Sequence, residues 1–438
     1  LAASYYFYLS WNVELVFLIV FTTAVSYVSA LVIEKKRGGT AARLCLCATL
    51  VVSLGVLFFY KYFDFLAGSV VAVANRFGAG WAPFSLGLML PVGISFYTFQ
   101  TLSYVIDVYR GDLPAERHFG YYALYVSFFP QLVAGPIERP ENLLPQLRAD
   151  HKFNRDDTAA GLRLMLTGFF KKIAVADLCA AYVVPVFSEP ERANGMSVIL
   201  AAVLFAFQIY GDFAGYTDIA IGCARVMGIK LMKNFDRPYT AESIKEFWAR
   251  WHISLSSWFR DYVYIPLGGN RVKTSRWILN ILIVWALTGF WHGAQWNFIL
   301  WGLYYAVLLL CEKLLWGEAL KNLPSAVQWI YTMLLVIIGW VLFDKTDFAQ
   351  LGHVIGVMFS FVPTGWTTLL AGDVSKLFNL ALIIPGILFS FPVAGKLHIQ
   401  EKGTVSAIAV NLMYIALLAV CIAFIISSSY NPFIYFRF

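Results

Sequence analysis

The chain has 438 residues, 60% hydrophobic and 13% charged, with a mean hydropathy of +0.68 and a formal net charge of +7. Soluble domains carry roughly 25% charged residues, so the composition excludes a soluble fold and predicts an all-α polytopic membrane protein in which every backbone polar group is satisfied internally. The positive charge is dispersed in short loops such as Glu34-Lys35-Lys36-Arg37-Gly38, which reads as cytoplasm-facing anchoring and excludes nucleic acid as a partner.

Residues 1–11 read as the tail of an apolar segment, which predicts a natural start upstream of Leu1. Membrane spans of about 20 residues are then predicted near 13–33, 42–60, 84–105, 159–186, 196–216, 278–296, 298–315, 326–343, 378–392 and 405–427, about ten in all. Three apolar stretches, 65–77, 121–136 and 351–362, are too short or too broken to cross. They are expected as re-entrant or interfacial pieces, whose non-helical backbone requires burial in protein or a water-filled cavity. Pro91-Val92-Gly93 predicts a kink inside 84–105, and Lys171-Lys172 predicts a membrane interface reached by snorkelling. Gly211 to Asp218 interrupts an apolar run with two carboxylates, Asp212 and Asp218, which fit a proton relay, a cation site or helix caps. No soluble domain of 100 residues fits between the apolar runs, so residues 1–438 are expected to form one membrane domain.

Between Lys230 and Val272 charges, aromatics and prolines alternate. Over 246–264, Phe247, Trp251, Leu255, Trp258, Phe259 and Tyr262 recur at spacings of three and four. This predicts an amphipathic helix lying in the membrane interface, with His252 to the side of its aromatic stripe and a terminating turn at Pro266-Leu267-Gly268-Gly269-Asn270. Cys45, Cys47, Cys179, Cys223, Cys311 and Cys421 lie in or beside apolar segments without the spacing of a disulfide framework or a zinc site.

Two histidines carry the chemistry. His292, in Gly289-Phe290-Trp291-His292-Gly293, is placed about midway along an apolar span, where a titratable ring is costly unless a partner or a function repays it. A neutral imidazole is the commonest means of taking a proton from an attacking hydroxyl. Gly289 and Gly293 leave room for a thin acyl chain or an approaching backbone, Trp291 and Trp296 are placed to wall a channel, and Gln295 or Asn297 to donate to a developing oxyanion. No carboxylate or second His lies at ligand spacing from His292, so no metal is expected. The competing explanations are a His that hydrogen-bonds a neighbouring helix, for His292, and a headgroup-facing ring, for His252.

Four motifs together resemble the membrane-bound O-acyltransferase family: Phe129 to Pro136 (Phe-Pro-Gln-Leu-Val-Ala-Gly-Pro), Tyr210 to Asp218 (Tyr-Gly-Asp-Phe-Ala-Gly-Tyr-Thr-Asp), Glu246 to Ser254 (Glu-Phe-Trp-Ala-Arg-Trp-His-Ile-Ser) and Trp291-His292-Gly293. Pro238-Tyr239-Thr240, Ile265 to Arg271 and Tyr430 to Phe436 favour its bacterial branch that includes alginate O-acetylation subunits, with D-alanyl transfer proteins as near neighbours. The resemblance implies a ring of ten or eleven transmembrane helices around a central tunnel. It makes His292 the catalytic residue and His252 a second functional one toward the cytoplasm. It implies acetyl-CoA as donor with no bound cofactor, an extracytoplasmic SGNH-hydrolase-like partner and the bacterial inner membrane. Arg250 and Arg260 would meet the CoA phosphates, and Trp251, Trp291, Asn297 and Asp218 would line the tunnel or donor entrance. The rival readings are D-alanyl transfer from a carrier protein and a proton-coupled transporter using His292, Asp212 and Asp218. The lack of an internal repeat counts against the latter.

Overall fold

The computed structural model describes residues 1–360 apart from 12, 134 and 190–194, together with 384, 404–427 and 433. Among these residues the regular structure is helical throughout, and the chain divides into two compact units, residues 1–161 with 223–232 and residues 162–222 with 233–438.

The first unit opens with α1 (Ala2–Leu9), α2 (Val16–Lys35) and α3 (Thr40–Leu57). α3 continues through a π-turn, Phe58–Tyr62, into α4 (Phe63–Arg76), giving one helical stretch of 37 residues. Residues 65–77 are thus no separate interfacial piece, because nothing at 58–62 stops the helix and the Lys61 ammonium is met by Ser95 Oγ at 3.3 Å. α2 is apolar outside and polar inside: Phe17 and Val28 are exposed, whereas Thr22, Thr23 and Ser26 are buried. The inward hydroxyls bond to their own helix, as Thr23 does to the Ile19 carbonyl at 2.6 Å, and accept bonds from neighbours, Thr49 to Ser29 and Tyr122 to Ser26, each at 2.7 Å. Lipid is as apolar as leucine, so small hydroxyl side chains take over the joining of helices.

Residues 79–90 have no regular structure, and Asp64 ties them down by accepting from Leu86 N at 2.7 Å and Ser85 Oγ at 2.9 Å. α5 (Ile94–Arg110) begins only at Gly93, whose φ of 73° lies in the left-handed region. The expected kinked helix over 84–105 is therefore corrected: Pro91 and Gly93 start a helix instead of bending one. α6 (Phe119–Ser127) and α7 (Phe129–Leu132) are short, as the prolines and glycine of 121–136 require, and α8 (Pro140–Arg148) follows. Glu138, fully buried beside α8, accepts from Met232 N at 2.5 Å and Asn142 Nδ2 at 2.7 Å, and burial pushes its carboxyl up to about 7.

The second unit takes up α9 (Arg155–Phe169) from Leu162 and runs through a π-turn, Phe170–Ala176, into α10 (Asp177–Ser188) and then the 32-residue α11 (Gly195–Val226). α11 passes unbroken through Gly211 to Asp218, so the expected interruption and its helix caps are absent. The carboxylates are tolerated mid-helix because cations answer them: Lys172 Nζ lies 2.6 Å from Asp212 and 2.8 Å from Asp177, and Lys171 Nζ lies 2.6 Å from Asp218. The two lysines consequently do not snorkel to an interface.

The predicted amphipathic helix over 246–264 is also corrected. It is broken at Trp251-His252 into α12 (Ile244–Arg250) and α13 (Ile253–Phe259), the latter extended by a π-turn, Arg260–Tyr264. Its stripe is sealed in protein, with Phe247, Trp251, Leu255, Trp258 and Phe259 all buried. The expected turn at 266–270 is present, and Asn280 Nδ2 clamps it by donating to the carbonyls of Leu267 at 3.2 Å and Gly269 at 3.1 Å. α14 (Thr274–His292) and α15 (Trp296–Cys311) form a tight hairpin. α15 runs through a π-turn, Glu312–Trp316, into α16 (Gly317–Lys321), and α17 (Ser325–Asp344), α18 (Phe348–Met358) and α19 (Thr404–Ser427) complete the unit. The span expected at 378–392 lies outside the described residues.

Six helical stretches among the described residues are long and apolar enough to cross a membrane: Val16–Lys35, Thr40–Arg76, Gly195–Val226, Trp296–Lys321, Ser325–Asp344 and Ile408–Ile426. The protein is accordingly a multi-pass membrane protein. In the α14–α15 hairpin a side chain on Gly302 would strike the Trp285 carbonyl oxygen, so the backbones touch where no Cβ fits. Gly302→Val is expected to destabilise the protein by about 1–3 kcal/mol through overpacking, read as a lower melting temperature in detergent, whereas Gly352→Ala, which meets open space, does not lower it.

Candidate active site

His252 and His292 come together in the second unit, with ring centroids 6.5 Å apart, and are 1% and 4% exposed. Each sits where a helix stops. His292 is the last residue of α14, followed by Gly293 in extended conformation, so it closes the span instead of lying midway along it as expected. His252 lies between α12 and α13 with φ 45° and ψ 53°, a left-handed conformation that a non-glycine residue adopts at a cost.

The break is held by residues 234–236, which lie along it. Ile253 N donates to the Asn234 carbonyl and Asp236 N to the Arg250 carbonyl, both at 2.9 Å. The fully buried Asn234 side chain accepts at Oδ1 from Ser254 N at 3.2 Å and Ser254 Oγ at 2.8 Å, and His252 Nδ1 lies 3.1 Å from the same oxygen. Asn234 Nδ2 reaches Thr217 Oγ1 at 3.5 Å. His252 packs against Phe213 at 4.7 Å and Trp291 at 5.8 Å between ring centroids, and His292 against Trp291 and Trp301, both at 5.0 Å, and Phe343 at 5.5 Å. These rings exclude bulk water and leave dry, narrow surroundings in which a positioned polar group acts strongly. Buried and outside the six spans, His252 has its imidazole pushed down to about 3 by desolvation, so it is neutral at physiological pH.

The other expected residues divide. Trp291 touches both imidazoles, and Trp251 stands one residue away, stacked among Phe247, Phe235 and Trp340. Asn297 is fully buried, but its Nδ2 donates to the Phe343 carbonyl at 2.8 Å, so that hydrogen joins α15 to α17 instead of aiming at an oxyanion. Gln295 and Trp296 are exposed and do not wall the pair. Asp218 is engaged by Lys171, Arg250 by Glu246 at 2.5 Å, and Arg260 by Asp261 at 2.7 Å. Sequence reasoning missed Asn234, Trp301 and Phe343, and gave no role to Ser254 although it closes the Glu246 to Ser254 motif two residues from His252. Only the pairing of two chain segments and the convergence of three helices bring the first three to the histidines, and no local pattern marks them.

A chain of this kind, multi-pass and with two sequestered histidines, matches the family model of the membrane-bound O-acyltransferases over residues 115–343. It is also 34% identical to a probable alginate O-acetylase AlgI of Azotobacter vinelandii, covering 100% of this chain and 94% of that protein. The chain belongs to the membrane-bound O-acyltransferase family. As a member it is an acyltransferase, and the segment matched includes both histidines and the Asn234 pairing. A peptidoglycan O-acetyltransferase of Helicobacter pylori is 31% identical over 100% of this chain and 90% of its own length. A teichoic acid D-alanyltransferase of Bacillus subtilis is 31% identical, over 56% of this chain and 65% of its own.

The neutral state of His252 has a measurable cost. An unfolded His titrates near 6.5 and the folded one near 3, so between these values only the unfolded chain takes the proton. The resulting stability is complete above pH 6.5 and declines as pH falls toward 3. Thermal melts in detergent are expected to show wild type losing about 1–2 kcal/mol more than His252→Gln between pH 6.5 and pH 5.

Proposed function

We propose that this acyltransferase takes acetyl from cytoplasmic acetyl-CoA and passes it across the bacterial inner membrane for O-acetylation of an extracellular or cell-wall polysaccharide. The observation that carries the reading is the pair of buried histidines 6.5 Å apart, walled by aromatic rings at the ends of two helices. The complete ring of ten or eleven transmembrane helices around a central tunnel belongs to the same proposal, as does an extracytoplasmic SGNH-hydrolase-like partner that selects the glycan.

His292 serves as general base. Its imidazole takes the proton of an acceptor hydroxyl while the oxygen attacks the acetyl carbonyl, the tetrahedral intermediate collapses, and the carbon–sulfur bond breaks to release CoA thiolate. A proton returns to the sulfur, and a thiolate, far less basic than an alkoxide, is the easier leaving group of the tetrahedral intermediate. His252 acts on the donor side of this exchange, and no metal or bound cofactor is needed. Trp291 spans the two imidazoles, Trp251 backs the donor side and Asn297 fixes the wall behind His292. Arg250 and Arg260, both at least partly solvent-reaching, are the residues to exchange Glu246 and Asp261 for the CoA phosphates. Asp218 contributes by holding Lys171.

D-alanyl transfer is the weaker reading, since the D-alanyltransferase relatives align with 56% and 50% of the chain and the O-acetylating ones above with all of it. A proton-coupled carrier is disfavoured by the engagement of Asp212 and Asp218 with Lys172 and Lys171. Purified protein in nanodiscs, offered acetyl-labelled CoA with its partner, is expected to release or transfer label. His292→Ala should lower the rate by about 10²–10⁴, the usual contribution of a general base. Equal rates in a folded mutant would remove the assignment, and label movement only from an alanyl-carrier thioester would favour the second reading.

A further inference from the structure

We infer that Asn234 is a positioning residue that fixes the His252 imidazole as its Nδ1–H tautomer, leaving Nε2 as a proton acceptor. The inference rests on the reading of His252 as part of the transfer reaction, and its argument is one of hydrogen-bond accounting.

The orientation of the Asn234 amide is set by a group with no choice. The backbone N–H of Ser254 can only donate, and it meets the Asn234 side-chain atom at 3.2 Å, so that atom is the carbonyl oxygen. The same oxygen takes the Ser254 hydroxyl hydrogen at 2.8 Å. It also lies 3.1 Å from His252 Nδ1, and Ser254 Oγ, its hydrogen already committed to Asn234, stands 3.5 Å from that nitrogen. Both polar neighbours of Nδ1 are therefore acceptors. A bare lone pair there would face two others in a dry interior, where unmatched polar contacts are costly, so Nδ1 carries the hydrogen and donates it to Asn234. In the neutral ring Nε2 is then unprotonated, and Nε2 is buried without a hydrogen-bond partner among the described residues.

The surroundings leave this state undisturbed. The groups packed on the imidazole are Phe213 from α11, Phe235 and Asn234 from the pairing segment, Trp291 and His292 from α14, and Ser254 from its own helix. His292 is the one titratable group among these described neighbours, and no carboxylate is among them. The desolvation that pushes the imidazole down acts in the same direction. The backbone supports the arrangement too: the bond from Ile253 N to the Asn234 carbonyl holds His252 in its left-handed conformation, so one residue sets the ring's position and its proton.

The consequence for the reaction is an order of events. A neutral His252 of this tautomer has no hydrogen on Nε2 to give, so it must first accept there the acceptor-hydroxyl proton passed on from His292, and only afterwards can it deliver that same proton to the CoA thiolate. As imidazolium it keeps the Nδ1–H bond to the Asn234 amide, which orients the ring and takes no proton itself. Asn234→Asp would set a carboxylate in place of that amide, stabilise the imidazolium and fill Nε2 before substrate arrives.

The test uses the full chain in nanodiscs, labelled with ¹⁵N-histidine, the His252 resonances being identified by their loss in His252→Ala. Wild type at pH 7 is expected to show protonated Nδ1 and unprotonated Nε2, and Asn234→Leu a mixture of tautomers. In parallel, the pH dependence of kcat for acetyl-CoA consumption is expected to have its acid limb moved up by at least one pH unit in Asn234→Asp, with activity recovering as pH rises. Asn234→Asp keeps an acceptor oxygen for Ser254 N and hence the local fold. Nε2 protonated in wild type, or a pH profile of Asn234→Asp that superimposes on wild type, would overturn the inference. If wild type consumed no acetyl-CoA the function proposed above would fail, while the ¹⁵N resonances would still decide the tautomer.

Discussion

Everything at the site depends on how the break between α12 and α13 is satisfied. A helix interrupted in a dry interior leaves N–H and C=O groups that no water can answer, and each is expensive to abandon. Residues 234–236 answer two of them with a short strand-like pairing, Ile253 N to Asn234 O and Asp236 N to Arg250 O. With those bonds made, His252 can hold φ 45°. Its ring then lies at the helix ends beside His292, not on the flank of a continuous helix. Take away the pairing and the same sequence would read as the amphipathic helix its aromatic spacing describes.

The walls around the pair are aromatic for a reason of geometry as well as polarity. Trp291, Trp301, Phe343 and Phe213 meet the imidazoles edge to face, the arrangement that aromatic quadrupoles favour. Flat, rigid rings with two rotatable bonds hold their positions at low entropic cost. The hairpin of α14 and α15 reinforces this, because backbones in contact at Gly302 leave little freedom between His292 and Trp301. The lysines and aspartates between α9 and α11 neutralise one another within their own cluster.

Legibility from sequence followed the range of the forces involved. Apolar runs report directly on the bilayer, so α2, α3, α15, α17 and α19 were foreseen within a few residues, and α11 at its start, though it continues to Val226, well past the expected end at 216. His252, His292, Trp251 and Trp291 were singled out by residue type in an apolar setting and by motif resemblance, and the fold gathers the two imidazoles and Trp291 into contact. What sequence could not deliver was partnership. Lys171 and Lys172 look like interfacial anchors until Asp218 and Asp212, distant in the sequence, turn out to face them. The Gly211 to Asp218 stretch looks like a break for the same reason. Asn234 carries no signature at all, since its role is created by two segments meeting. Arg250 and Arg260 were read as partners of the CoA phosphates and Asp218 as a relay, cap or tunnel residue, and the structure shows each engaged by a neighbour.

Four π-turns occur among the described helices, at Phe58–Tyr62, Phe170–Ala176, Arg260–Tyr264 and Glu312–Trp316. Each accommodates an extra residue within a helix that carries on beyond it. Adjacent residues on an α-helix differ in direction by roughly 100°, so an extra residue in continuous α-winding would swing every later side chain through that angle, whereas the wider turn absorbs it and leaves the faces beyond unmoved. In the turn at 170–176 this keeps α10, with Asp177, facing Lys172. The four turns thus act as slack in the winding: a single-residue deletion there is borne locally, whereas one in the flanking α-helix turns every later side chain to another face.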